Sequence, residues 1–227
     1  MTASADSRAL DLSGLTLAID SATEACSVAL FRDGKLIAGD YRMLGRGHAE
    51  ALVPMIAALP DRGRAARIAV ALGPGSFTGV RVGLAAARAL ALAWGAEVVG
   101  YPTMALIAAM ARKERGDVPV AVAMTGGHGE WFIEGFDQNG TVIRPLASMR
   151  PDAAAMASVE AVVAGTQAEA LVAARGNGDA LAIWPDARCL TLLPADAMTH
   201  EAHPLYGRAP DAKPMATTGA TATGAAQ

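Results

Sequence analysis

Gly73-Pro74-Gly75-Ser76-Phe77-Thr78-Gly79-Val80-Arg81-Val82-Gly83 decides the fold. Before it runs Ile68-Ala69-Val70-Ala71-Leu72, apolar throughout, which predicts a buried strand. After it, Leu84 to Trp94 is rich in Ala and Leu and predicts a helix. A strand, a glycine loop and a helix in that order aim unpaired backbone N–H groups at whatever lies beyond the helix N-terminus, where the helix dipole is positive. Ser76 or Thr78 supplies a cap. No Lys-Ser/Thr pair follows the glycines, and they do not fall as G-x-G-x-x-G, so neither common phosphate motif is present.

Gly79, Gly83, Ala87, Ala91 and Gly95 recur every four residues and form one row on a helix face. A glycine inside a helix costs about 1 kcal/mol relative to alanine, so Gly83 has a packing reason. The row either faces this chain's own core or lets a partner helix approach closely. The sharper expectation is a partner interface made of Gly79, Gly83 and Ala87, with His48, Leu52 and Met55 from the helix expected over His48 to Leu59 beside it.

The chain's 227 residues, 52% hydrophobic and 18% charged, are enough for one large domain or two lobes with a sizeable core. A net charge of −3 and the lack of a long basic run argue against a dedicated nucleic-acid surface. Cys26 and Cys189 make no disulfide framework and no metal spacing. No basic and apolar leader opens the sequence, and Arg81 and Arg88 interrupt the most apolar helix. The expected setting is therefore cytoplasmic and reducing, without a membrane span.

From the N-terminus, 1–14 is expected to be a disordered extension. Leu15 to Ile19 is a strand ending at Asp20, followed by a turn at Ser21 to Glu24. Cys26 to Phe31, the Asp33-Gly34 turn and Lys35 to Tyr41 complete a three-stranded meander. After the helix at His48, the strand at Arg67 and the glycine loop come a strand at Glu97 to Gly100 and a helix at Pro102 to Arg115. The order then repeats. Val118 to Met124 is a strand ending at Thr125; Glu130 to Phe136 and Thr141 to Leu146 flank an Asn139-Gly140 turn. A short helix at Pro151 to Ala157, a strand at Val159 to Ala164 and a helix at Thr166 to Arg175 follow. Beyond Trp184-Pro185, a weak strand is expected at Arg188 to Leu192 and a helix near Ala195 to His200. This duplication outlines the α/β actin-like ATPase (ASKHA) fold. Its lobes are expected at 15–115 and 116–208, with a disordered tail over 209–227.

Leu17 to Leu30 and Gly73 to Gly83 resemble the TsaB (YeaZ) family. The resemblance extends through His48-Ala49-Glu50, Gly129-Glu130-Trp131 and Ala202 to Arg208. It implies a non-catalytic subunit in the synthesis of threonylcarbamoyladenosine beside the tRNA anticodon. Its implied partners are a TsaD-like catalytic subunit and a TsaE-like ATPase, with a homodimer when alone and tRNA met only through the complex. ATP and a metal would then belong to the partner subunits, and this chain would carry no cofactor of its own. The family is also labelled glycoprotease-like. Its usual acid at the end of the second lobe's first strand is replaced here by Thr125, and the link between the His48 helix and the Arg67 strand is shorter than usual.

An actin-like ATPase or small-molecule kinase needs an acid from each lobe to hold Mg²⁺ and orient the nucleophile. Asp20 supplies one and Thr125 cannot supply the other. Asp20 instead fits a strand-end residue bonded to the turn after it. The expected result is a degenerate nucleotide-type cleft formed by Asp20, Ser21, Thr23, Gly73, Gly75, Ser76 and Thr78, with no catalytic residue. A metallopeptidase is the third alternative. Tyr101 to Ile107 carries none of the metal histidines that the catalytic relatives hold there, and His200 and His203 have no third ligand nearby.

Overall fold

A computed structural model describes residues 13–205 and 207. Residues 1–12 of the extension expected over 1–14, the tail over 209–227, and Tyr206 and Arg208 of the resemblance lie outside the described residues, whereas Gly14 is described and pairs with Asp33, its N–H donating to Asp33 Oδ1 at 2.8 Å and its carbonyl accepting the Asp33 N–H at 3.0 Å. Two five-stranded sheets carry the fold. The first contains β1 (Leu15–Asp20), β2 (Ala25–Arg32), β3 (Lys35–Met43), β4 (Arg67–Ala71) and β5 (Glu97–Tyr101), in the order β3-β2-β1-β4-β5. The second contains β6 (Val120–Thr125), β7 (Trp131–Phe136), β8 (Val142–Met149), β9 (Val162–Ala164) and β10 (Asp179–Leu181), in the order β10-β9-β6-β7-β8. Read from the other end, the second order is the first one again. In both, the meander pairs antiparallel and the next two strands add in parallel. This is the duplicated, actin-like arrangement, and it places Asp20 and Thr125 at equivalent strand ends.

Helices α1 (His48–Ala57) and α2 (Phe77–Trp94) pack on the first sheet, α1 chiefly on β2 and α2 chiefly on β4. Helix α3 (Thr103–Arg115) serves both lobes. Its Leu106 and Ala109 join the first lobe's core, while Met104, Ile107, Ala108 and Ala111 join the second's. The far face of the second sheet is covered by α4 (Pro151–Ala157) and α5 (Ala168–Arg175).

Four expectations are corrected. Helix α2 begins at Phe77, not Leu84, because Ser76 Oγ accepts the Gly79 N–H at 3.2 Å and starts the helix a full turn earlier. By length and composition alone it could cross a membrane, at 18 residues with a mean hydropathy of 1.2, which does not bear against the expectation of no membrane span. Its small-residue side is packed on the sheet instead. Ala187 to Leu192 forms a 3₁₀ helix and not a strand, and only Ala195 to Ala197 is helical in the segment after it. Asp186 causes the first of these, since its Oδ1 accepts the Arg188 N–H at 2.9 Å and starts a helical turn. Finally, the chain beyond β10 leaves the second lobe. Trp184 Nε1 donates to Glu24 (3.2 Å), the Ala187 N–H to Ser27 Oγ (2.8 Å), and Thr199 exchanges backbone hydrogen bonds with Gly100. The stretch expected to finish the second lobe therefore covers the first.

Candidate functional site

A cleft of about 1080 Å³ lies where β1, the glycine loop and β6 end. One wall is the Ala22 to Glu24 turn, the Gly45 to Glu50 segment and the first turns of α2; the other is Met124 to His128 with Phe132 and Thr166.

The glycines are explained by how closely α2 approaches β1. The Ser76 N–H donates to Ala22 O at 2.7 Å, and the Ser21 hydroxyl to Gly79 O at 2.9 Å. A Cβ at Gly75 would collide with Ala22 O, and one at Gly79 with Ser21 O. Gly83 leaves room for Ser21 Oγ, 2.6 Å from where its Cβ would stand, with Val70 and Ile19 just beyond. Gly79, Gly83 and Ala87 are all buried. The row therefore faces this chain's own first sheet, and the expectation that these three meet a partner helix is corrected. Leu52 and Met55, 1% and 0% exposed, likewise belong to the core. His48 is buried at the cleft wall, its Nε2 3.3 Å from Ala25 O, an arrangement that suits the Nε2–H tautomer as donor. The exposed side of the two helices is a different set, including Ala49, Val53, Ala85, Ala89 and Leu92.

Of the seven residues expected in the cleft, Gly75, Ser76, Thr78 and Thr23 line it. Thr23 is nearly buried, and its Oγ1 accepts the Ala25 N–H. Gly73 sits behind the wall, its carbonyl accepting the Thr103 N–H at 2.9 Å. Asp20 and Ser21 do not open into the cleft. Asp20 is 1% exposed; its Oδ1 accepts the Ala22 N–H at 3.0 Å, and its Oδ2 lies 3.2 Å from the Tyr101 hydroxyl, which also reaches Ile19 O at 3.0 Å. Burial pushes its carboxyl from the ordinary 3.8 up to about 7, against the pull of those two donors, and the Asp186 charge adds to the rise. Asp20 thus behaves as the turn-holding strand-end residue, with Tyr101 as a partner that nothing in the local sequence announces.

Across the cleft, Thr125 stands where the second acid would. Its N–H donates to Thr166 Oγ1 at 3.0 Å, and its hydroxyl accepts from Gln167 Nε2 at 2.8 Å. The α2 N-terminus with the hydroxyls of Ser76 and Thr78 on one wall, and the Thr125 hydroxyl on the other, offer donors suited to an anion; Glu24 and Glu50 line the first-lobe wall, and among the described residues the second lobe contributes no acid opposite them. Among the described residues, no group of three His, Cys, Asp or Glu side chains is placed to hold a metal ion. His200 pairs with Glu97, Nδ1 to Oε1 at 2.8 Å.

Residues 42–179 match the family model described as TsaD: tRNA N6-adenosine threonylcarbamoyltransferase. The tRNA threonylcarbamoyladenosine biosynthesis protein TsaB of Escherichia coli K12 is 38% identical over 131 residues, 55% of this chain and 56% of that protein. YeaZ from Pseudomonas aeruginosa superposes with a TM-score of 0.69 at 29% identity, covering 85% of this chain and 99% of YeaZ. This chain belongs to the TsaB/YeaZ family. The TsaB of Buchnera aphidicola is 26% identical over 58% of this chain and 65% of its own length, so the match spans less than two thirds of either curated TsaB. An uncharacterized protein of Mycobacterium tuberculosis H37Rv is 30% identical over 88% of this chain and 94% of that one. For a TsaB/YeaZ member, the inward-turned Asp20 and the threonine at position 125 are the features of this cleft that bear most on chemistry.

Proposed function

We propose that this chain takes part in making threonylcarbamoyladenosine in tRNA as a non-catalytic subunit that binds and supports a TsaD-like catalytic subunit. The observation that carries the proposal is a cleft to which, among the described residues, the second lobe contributes no acid, together with an exposed apolar side on the neighbouring helices α1 and α2. Val53 is 53% exposed and Leu92 is 89% exposed, with Ala49, Ala85 and Ala89 also open to solvent. Apolar exposure of this kind on adjacent helices marks an interaction face. Family membership supports the partner's identity, since the related TsaB proteins are named for this pathway. In this proposal ATP and the metal reside in the partner subunits, a TsaE-like ATPase joins the pair, and tRNA meets the chain only within the complex. A homodimer through the same helices forms when the partner is absent.

The test is titration of the purified protein with a TsaD-like subunit, beside Leu92→Glu. An exposed side chain is changed, so melting stays as in the parent, while affinity falls at least about tenfold as a charge enters an apolar contact. Unchanged affinity overturns the interface. ATP turnover by the isolated protein, lost in Asp20→Ala, overturns the non-catalytic role.

A further inference from the structure

The segment after the second lobe returns to the first and then reaches the cleft. Thr199 and Gly100 exchange two backbone hydrogen bonds, Thr199 N–H to Gly100 O at 2.9 Å and Gly100 N–H to Thr199 O at 2.7 Å. Arg88 Nη2 donates to Ala202 O at 2.7 Å. The Leu205 N–H donates to Leu72 O at 2.8 Å, just past the end of β4, an interior strand of the first sheet. Gly207 then lies on the second lobe: a Cβ there would stand 2.5 Å from Phe132 Cδ1 and Cε1. Pro204, Leu205 and Gly207 line the cleft, and Leu205 O lies 3.3 Å from where a Cβ on Gly73 would stand, beside the glycine loop.

The lobes share α3 as a common packed element, which makes it the natural axis for any rocking of one sheet against the other. Contacts near that axis do little to limit rotation, whereas contacts across the cleft mouth act with a long lever arm. We propose that Thr199–Leu205 and Gly207 form an interlobe latch, bonded through backbone to the first lobe and seated on Phe132 of the second, which fixes the width of the cleft. Gly207 is the pivotal residue because only a residue without a side chain lets the backbone rest on the aromatic ring. A ligand or partner that lifts this segment changes the cleft's width and its lining together. The latch does not depend on the identity of the TsaD-like partner.

The experiment measures the distance between spin labels on Ala49→Cys and Gly127→Cys in the full chain. Ala49 is exposed, and a Cβ at Gly127 meets nothing within 4 Å. Cys189→Ser removes the half-buried thiol, and Cys26 is buried. Gly207→Val drives a side chain into Phe132; Leu205→Pro deletes the N–H that bonds Leu72. With the latch intact, the labels give one narrow distance. Each variant is expected to shift that distance outward by several ångströms and broaden it, with melting of the core retained. A distribution identical to the parent's in Leu205→Pro, or in a folded Gly207→Val, overturns the latch. So does a parent that is already broad.

Discussion

Asp20 holds its proton far more tightly in the folded chain than in the unfolded one, and that sets a pH signature. Its carboxyl is raised from 3.8 to about 7 by burial. The folded state then binds the proton better across that interval, so its contribution is present in full below about pH 4 and is lost as pH rises through about 7. The loss amounts to at most about 4 kcal/mol, at roughly 1.4 kcal/mol per pH unit. Asp20→Asn keeps an acceptor for the Ala22 N–H and removes the buried charge. Its melting temperature is expected to fall less than the parent's between about pH 4 and 7, and to lie above the parent's at the alkaline end. Glu134, raised to about 7 by burial alone, titrates in the same window, so the slope is reduced by Asp20→Asn and flattens only when Glu134→Gln is added. Parallel melting curves for parent and Asp20→Asn contradict this. The position of Asp20 at a strand end was legible in the sequence, as was the threonine replacing its counterpart. Its inward orientation was not, because Tyr101 and Asp186, the groups that surround it, come from strands and turns far along the chain.

Helix α2 makes the second prediction. By intrinsic propensity, alanine for glycine inside a helix stabilises by up to about 1 kcal/mol. Here the reverse is expected. Gly79→Ala meets the Ser21 carbonyl, a backbone atom that cannot step aside, whereas Gly83→Ala meets the Ser21 hydroxyl, which can rotate at the loss of its bond to Gly79 O. Both lower stability by about 1–3 kcal/mol, Gly79→Ala more, and each kcal/mol shifts the midpoint by roughly 2–4 °C for a chain of this size. Thermal melting of the two variants checks the order; a gain in either contradicts it. The small-residue row itself was visible in the sequence. The surface it faces was not, since residues small every fourth position suit a sheet as well as a helix. Other elements hid for other reasons. Asp179–Leu181 is too short for alternation to show and follows Gly176-Asn177-Gly178. Cys189-Leu190-Thr191-Leu192 has the composition of a strand, but Asp186 caps a helical turn ahead of it.

Across the whole molecule, the repeat of three strands, helix, strand and helix could be read from turn signals such as Asp33-Gly34 and Asn139-Gly140, and the equivalent sheet orders follow from it. The return of the chain to the first lobe could not. It rests on pairs such as Trp184 with Glu24 and Ala187 with Ser27, each separated by 160 residues, between side chains and backbone groups that carry no local pattern. Helix α3 has a consequence for how the molecule comes apart. Met104, Ile107, Ala108 and Ala111 belong to one core and Leu106 and Ala109 to the other, so loss of either sheet strips a buried apolar face from the same helix. The duplicated halves are therefore not separable cooperative units, whatever their ancestry. Calorimetry of the intact chain is expected to give a single endotherm whose van't Hoff and calorimetric enthalpies agree, and a fragment ending at Arg115 to remain expanded and bind a hydrophobic dye. Two resolved endotherms would mean that α3 can desert one core while keeping the other, and that each half carries its own melting point.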